Sequence, residues 1–157
     1  EAEAFRAFKQ ACLGAGVDDV AFLVGGAAPN GYDNIIAQPS NRAIQNRDVL
    51  IFDTGCVWDG YFCDFDRNFS IGKPSEMVAD AHRKIWDATE AALEACKPGK
   101  SCSELFQIMN RAMGLSDEAG SVGRLGHGLG MQLTEHPSHA AFDQTMLQPG
   151  IDARTRF

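Results

Sequence analysis

The order of apolar and polar positions divides the chain into a strand-rich beginning, a helical middle and a strand-rich end. The opening run EAEAFRAFKQACLGAG spaces its apolar residues like the second half of an amphipathic helix, with Gly14 or Gly16 as its stop. DVAFLVGG, residues 19–26, predicts a strand ending in glycines, and the polar stretch GYDNIIAQPSNRAIQNRD after it predicts a loop. In DVLIFDTG, residues 48–55, four apolar residues in a row stand between Asp48 and Gly55, which predicts a buried strand. An Asp-Gly turn follows, so WDGYFCDFDRNFSIG, residues 58–72, predicts a second strand folded back on the first as a hairpin.

Met77, Ala81, Ile85, Ala88, Ala92 and Cys96 recur at helical spacing over residues 75–96. Ser75 can cap that helix and Lys97-Pro98-Gly99 ends it. A second helix opens on the capping box Ser101-x-x-Glu104 and runs to about Gly114. Residues 125–138, LGHGLGMQLTEHPS, again read as strand, with a histidine set between glycines, and a further strand is expected after the Pro149-Gly150 turn. No internal repeat or low-complexity tract interrupts this order. The pattern predicts an α+β class, with helices packed on one face of a mainly antiparallel sheet. At 157 residues, one domain spanning residues 1–157 is expected. An opening without Met and a stop at IDARTRF suggest a truncated piece of something longer.

Composition narrows the partners. A formal charge of −7 without a Lys/Arg cluster argues against a nucleic-acid partner. The five cysteines, Cys12, Cys56, Cys63, Cys96 and Cys102, include no C-x-x-C pair, which favours buried thiols in a reducing compartment over a disulfide framework. No apolar run reaches the roughly 18 residues of a membrane span. The expectation is a cytoplasmic protein with no membrane partner.

The candidate chemistry lies in the hairpin and the glycine-flanked histidine. Asp53 ends one predicted strand, and Asp64 and Asp66 lie on the next. Alternation puts Phe62, Asp64, Asp66 and Asn68 on one face and Tyr61, Cys63, Phe65 and Phe69, with Arg67, on the other. Carboxylates facing together in an apolar segment resist ionisation, and a bound cation removes that cost. Either the face is simply wet, or Arg67 and Arg47 neutralise the acids, or a metal sits there. A histidine on an apolar stretch is more often a core residue than a ligand. Joined to the acids, however, His127 completes a donor set suited to Mn, Fe, Co or Zn, and such sets often bridge two ions. Gly126, Gly128 and Gly130 would let backbone approach closely beside it.

The combination D-T-G-x(8)-D around Asp53 and Asp64, then Arg67, and much later G-H-G-x-G resembles the metal-site signature of the pita-bread superfamily. That superfamily includes methionine aminopeptidase, aminopeptidase P, prolidase and creatinase, and the likeness runs from about Val24 to Gly150. It implies a pita-bread fold incomplete at the C-terminus, with Asp53 and Asp64 bridging two divalent ions (Fe, Mn, Co or Zn) and His127 binding one of them. It also implies a small-molecule substrate, a homodimer in the full-length protein, and two further Glu ligands. No Glu follows Glu135, so a chain carrying three of about five ligands is expected to bind metal poorly and to be inactive alone.

Departures from the peptidase pattern shape the functional expectation. Superfamily peptidases usually carry G-H-G-x-G-x-x-H-E, but here Thr134 takes the second histidine's place, Glu135 keeps the acid, and His136 is one position beyond. Ile36 stands where a further substrate histidine is expected. The wording FDTGxxWDGYFCDFDRNF with GHGLGMQLTE is similar to a non-peptidase branch, the pita-bread dimethylsulfoniopropionate lyases, which release dimethyl sulfide and acrylate by β-elimination. On that resemblance Asp66 or Glu135 is the candidate base. Trp58 and Tyr61, with Trp86 a further candidate, are the aromatic wall for a sulfonium. The expected activity is therefore that lyase, with an Xaa-Pro dipeptidase or aminopeptidase as the alternative and a non-catalytic pita-bread module as the third reading.

Overall fold

A computed structural model describes residues 1–115 and 123–148, so the Pro149-Gly150 turn and the strand expected after it lie outside the described residues. In chain order the elements are α1 (Ala2–Gly14), β1 (Asp19–Val24), β2 (Ala27–Pro29), β3 (Asp48–Trp58), β4 (Tyr61–Phe62), β5 (Phe65–Ser70), α2 (Glu76–Ala95), α3 (Cys102–Ala112), β6 (His127–Gly128) and β7 (Glu135–Ser138). No helix among the described residues is long and apolar enough to cross a membrane. The contacts separate two compact units: Glu1–Ala79 with Leu129–Leu133, and the described residues of Asp80–Gly128 and from Thr134 onward.

In the first unit β3 is the axis of an antiparallel sheet. Val49 pairs with Ala28 of β2 on one edge and Ser70 of β5 on the other, and Asp53 pairs likewise with Val24 of β1 and Asp66 of β5. The run Val49-Leu50-Ile51-Phe52 is buried on both faces of the sheet, and its backbone is paired on both edges. β3 extends to Trp58, beyond the expected end at Gly55, since Cys56 and Val57 keep pairing with β1 and Trp58 closes against Tyr61. Asp59 and Gly60 turn the hairpin with φ of 49° and 80°, the left-handed pair that a two-residue turn needs. The returning strand is broken into β4 and β5 at Cys63-Asp64 rather than running unbroken from 58 to 72. β2 was not expected: three residues are too few to show a period.

Helix α1 covers one face of this sheet. Phe5 and Phe8 of α1 each place a ring centroid 4.7 Å from that of Phe52, and Phe69 meets Phe52 edge-on at 6.1 Å. Leu50 and Ala27 complete this core, with Ile44 and Ile71 at its margin. The residue-31–47 loop is tied down by Arg42, whose guanidinium grips the fully buried Asp48 carboxylate with two bonds of 2.7 and 2.9 Å. The Gln45 amide adds a third at 2.7 Å, and the hydrogen bonds from Arg42 hold the Asp48 carboxyl below the usual carboxylate range.

In the second unit α3 begins with the expected capping box: Ser101 Oγ accepts from the Glu104 amide and Glu104 accepts from the Ser101 amide. Ala88 and Ala92 of α2 pack on Met109 of α3, and Leu105 packs with Cys102 and Leu147. The apolar stripe expected along all of α2 is buried only in this C-terminal half; Met77 and Ile85 are exposed. The strand expected over 125–138 is instead two short pieces, β6 and β7. Its middle, Leu129–Leu133, belongs with the first unit, where Phe62 N donates to Gly130 O at 2.8 Å and Leu133 lies against Gly55.

Phe52 is packed against Phe5, Phe8 and Phe69. Phe52→Ala should therefore destabilise the chain by about 3–5 kcal/mol in urea titrations, whereas an alanine at exposed Phe142 should change the midpoint little.

Candidate metal centre

The β3–β5 register sets Asp53 directly opposite Asp66, and continuing it sets Gly55 opposite Asp64. Side chains directly opposite leave an antiparallel sheet on the same face, about 4.5–5.5 Å apart at Cβ. All three acids therefore share the face turned away from Phe52 and α1. The expectation that Asp64 and Asp66 lie on one side, with Cys63 on the other, agrees with this register. Asp53 pays for the arrangement electrostatically. Partial burial, then the negative charges of Asp66 and Asp64, push its pKa up to about 7, and a hydrogen bond with Asp66 also favours the protonated form.

One neighbour of this face had no signal in the linear pattern. Tyr32, from the long loop, donates to Asn68 Oδ1 at 2.6 Å, and its phenol is pushed up by burial and by the charge of Asp66. The two arginines considered as neutralising partners have other placements for which contacts are resolved. Arg67 donates to the Asp66 carbonyl at 2.7 Å and stacks over Phe65, 5.1 Å from its centroid. Arg47, with φ of 74°, lines a cavity of about 290 Å³ with Asn46, Lys73 and Pro74.

In the second unit His127 is held at β6. Its Nδ1 lies 2.9 Å from Gly128 O, and because a carbonyl only accepts, that bond requires the Nδ1–H tautomer and leaves the lone pair of the neutral ring on Nε2. The flanking glycines have a direct steric reason. A Cβ at Gly128 would sit 2.4 Å from His136 O, and one at Gly126 would sit 2.7 Å from the His139 ring. Glu135 of β7 pairs with Gly128. His139 is the residue that sequence reading missed here: burial lowers its pKa, the nearby Asp143 opposes that, and His127 adds to it. A hydrogen bond from the Thr145 side chain, with those from Ser138 N at 2.7 Å and Thr145 N at 2.9 Å, holds the Asp143 carboxyl down at about 2.

Of the sequence-predicted residues, the structure thus brings Asp53, Asp64 and Asp66 together in the first unit and His127 with Glu135 in the second. Trp58 and Tyr61 pair across the hairpin tip. Their register parity is that of Cys56 and Cys63, which places them on the opposite face from the acids. Trp86 stacks on His82 with centroids 6.4 Å apart. Among the described residues no three His, Cys, Asp or Glu side chains are grouped so as to hold an ion. The donor chemistry of the acid face nevertheless fits a cation. Burial and the charges of Asp66 and Asp64 raise the Asp53 carboxyl to about 7, and a divalent ion, which takes carboxylate oxygens as ligands, would relieve that repulsion.

Comparison with known proteins identifies the family. The chain matches the metallopeptidase family M24 over residues 1–151 and belongs to that family. It is 32% identical over 156 residues to a Mycobacterium bovis protein named "Probable dipeptidase PepE", covering 96% of this chain and 40% of the other. It is also 32% identical over 117 residues to an Xaa-Pro dipeptidase of Lactobacillus delbrueckii subsp. lactis, covering 72% of this chain and 31% of that one. Among solved structures, dipeptidase PepE from Mycobacterium ulcerans aligns with a TM-score of 0.83 at 30% identity, covering 94% of this chain and 40% of that chain. The pita-bread expectation therefore holds, with the chain spanning about 40% of the length of the PepE proteins. These relatives are named as dipeptidases. They support the peptidase alternative and lend nothing to the carbon–sulfur lyase that the wording of the motifs suggested.

The raised pKa of Asp53 has a stability consequence. Folded Asp53 keeps its proton where the unfolded carboxyl has lost it, so the metal-free chain should lose stability as pH rises from about 4 to about 7 and level off above. Urea midpoints across that range should show this fall, and Asp66→Asn, which removes the largest neighbouring charge, should shrink it.

Proposed function

We propose that this chain forms part of a metal-dependent dipeptidase. The resemblance to the pita-bread superfamily makes Asp53, Asp64 and His127 the residues that would hold divalent ions of the Fe, Mn, Co or Zn class. The single observation that carries this is the carboxyl cluster on β3 and β5, where Asp53 is pushed up to about 7 by burial and two neighbouring acids. Membership of a metallopeptidase family and two dipeptidase relatives support the substrate class.

When bound, the ions would supply an activated water and a polarised carbonyl. The chain's own residues do the rest. Asp66, opposite Asp53, keeps that carboxyl's ionisation tied to cation binding. Glu135, paired with Gly128, is the proposed proton carrier between the attacking water and the departing amine. Trp58 and Tyr61 are left out of the proposed substrate wall because they lie on the sheet face opposite the acids. Substrate is a small peptide, in a complete protein that the family resemblance makes a homodimer.

A second reading rests on two positions. Thr134 and Ile36 stand where the peptidase pattern has imidazoles, and Ile36 is exposed in the long loop. A β-elimination needs neither, so the dimethylsulfoniopropionate lyase reading survives on those residues alone.

One assay separates the two. The complete protein, loaded with Mn, Fe, Co or Zn, should release amino acids from Xaa-Pro or other dipeptides. Glu135→Gln should lower kcat by about 10²–10⁴-fold with metal content unchanged, and Asp64→Ala should lose metal as well as activity. Dimethyl sulfide from dimethylsulfoniopropionate, with dipeptides untouched, would replace the dipeptidase by the lyase.

A further inference from the structure

The face of the first unit turned away from the acids carries a group of thiols that the proposed function does not use. Cys63 N donates to Cys56 O at 2.9 Å, and the pairings on either side, Val57 with Phe62 and Thr54 with Phe65, place the two cysteines directly opposite. Residues opposite each other at a hydrogen-bonded antiparallel position have Cα atoms about 5.5 Å apart, inside the 4.4–6.8 Å range that disulfides span, and their Cβ atoms, about 5.5 Å apart, must draw in by about 1 Å for the bond to close. Their side chains also leave the sheet on the same side. A third thiol, Cys12 of α1, neighbours Cys56. All five cysteines are free thiols, with Cys56 buried and Cys63 partly exposed. Both sulfurs lie beside a cavity of about 360 Å³, lined also by Val17, Trp58 and Tyr61. That opening gives a small molecule access to the pair.

We infer that Cys56 and Cys63 are a redox modification site, closing to a cross-strand disulfide when the chain meets hydrogen peroxide. The more exposed sulfur, Cys63, attacks a peroxide oxygen as the thiolate. The S–O bond forms, the O–O bond breaks, and the departing hydroxide takes up a proton as water, leaving a sulfenic acid. Cys56 then attacks the Cys63 sulfur. The S–S bond forms, the S–O bond breaks, and hydroxide leaves as a second water with the proton that Cys56 gives up. Two thiols and one peroxide become one disulfide and two waters. Burial holds both thiols above the usual range, with the neighbouring sulfur acting on each as a hydrogen-bond partner. Reaction is therefore slow beside that of an activated thiol, and pairing follows from position, not from reactivity. The bond would lock the hairpin whose opposite face presents Asp53, Asp64 and Asp66.

The test treats the folded, reduced chain with hydrogen peroxide, blocks remaining thiols with an alkylating reagent and maps peptides by mass. Both cysteines fall between Arg47 and Arg67, so a tryptic peptide holds both, and chymotryptic cleavage at Trp58 or Tyr61 separates the linked halves. Two of the five thiols should become unalkylatable, that peptide should lose two hydrogens, and dithiothreitol should restore it. Cys12→Ser should leave this yield unchanged and Cys63→Ser should abolish it, with circular dichroism confirming that each variant is folded. Five alkylatable thiols after treatment, or a link joining Cys12 to Cys56, would overturn the assignment.

Discussion

The structure depends on β3 being hydrogen-bonded along both edges. A strand paired with β1 and β2 on one side and β5 on the other cannot slip by one residue without breaking two ladders and turning every side chain to the wrong face. Phe52 decides which face is which. With its ring stacked on Phe8 and tilted against Phe5, it commits the even-numbered positions of β3 to the helix-covered core. Asp53 is then forced out on the other side, opposite Asp66. Burial of aromatic surface thus offsets the cost of bringing carboxyls together, and the acid face is a consequence of the core rather than an independent feature.

Two aspartates on this one strand show how differently such a carboxyl can be accommodated. Asp48 is fully buried, yet the Arg42 guanidinium and the Gln45 amide hold it ionised, with its pKa below the usual range. Five residues on, Asp53 is less enclosed but faces two further acids, and its pKa rises to about 7. The first solution is structural: it pins the 31–47 loop to the sheet. The second leaves electrostatic repulsion in place, which a purely structural residue has no reason to keep.

Much of this could be read along the chain, because alternation and capping are local signals. The grouping of Asp64 and Asp66 on one face, the Asp59-Gly60 turn and the Ser101–Glu104 capping box all follow from residues within a few positions of each other. What could not be read depends on contacts between distant segments. Tyr32 reaches Asn68 from a loop with no period, and Asp143 draws in His139 only once the 138–145 backbone has wrapped around its carboxylate. Ala27–Pro29 is too short to carry a strand pattern. The stripe on α2 was visible, but spacing does not say which half meets α3. Motif wording likewise identified the superfamily, while its finer suggestion of a lyase, drawn from the same wording and from Ile36 and Thr134 in place of imidazoles, stands against dipeptidase relatives that match the chain over most of its length.

The central claim is that the repulsion around Asp53 is kept for a cation. Calorimetric titration of the complete protein with Mn or Zn, at about pH 6.5 in two buffers of different ionisation enthalpy, measures it most directly. Asp53 is then more than half protonated, so binding should expel more than half a proton from it, and Asp66→Asn, which lowers the pKa of Asp53, should reduce that number. Binding without proton release, equal in the wild type and in Asp66→Asn, would contradict the account.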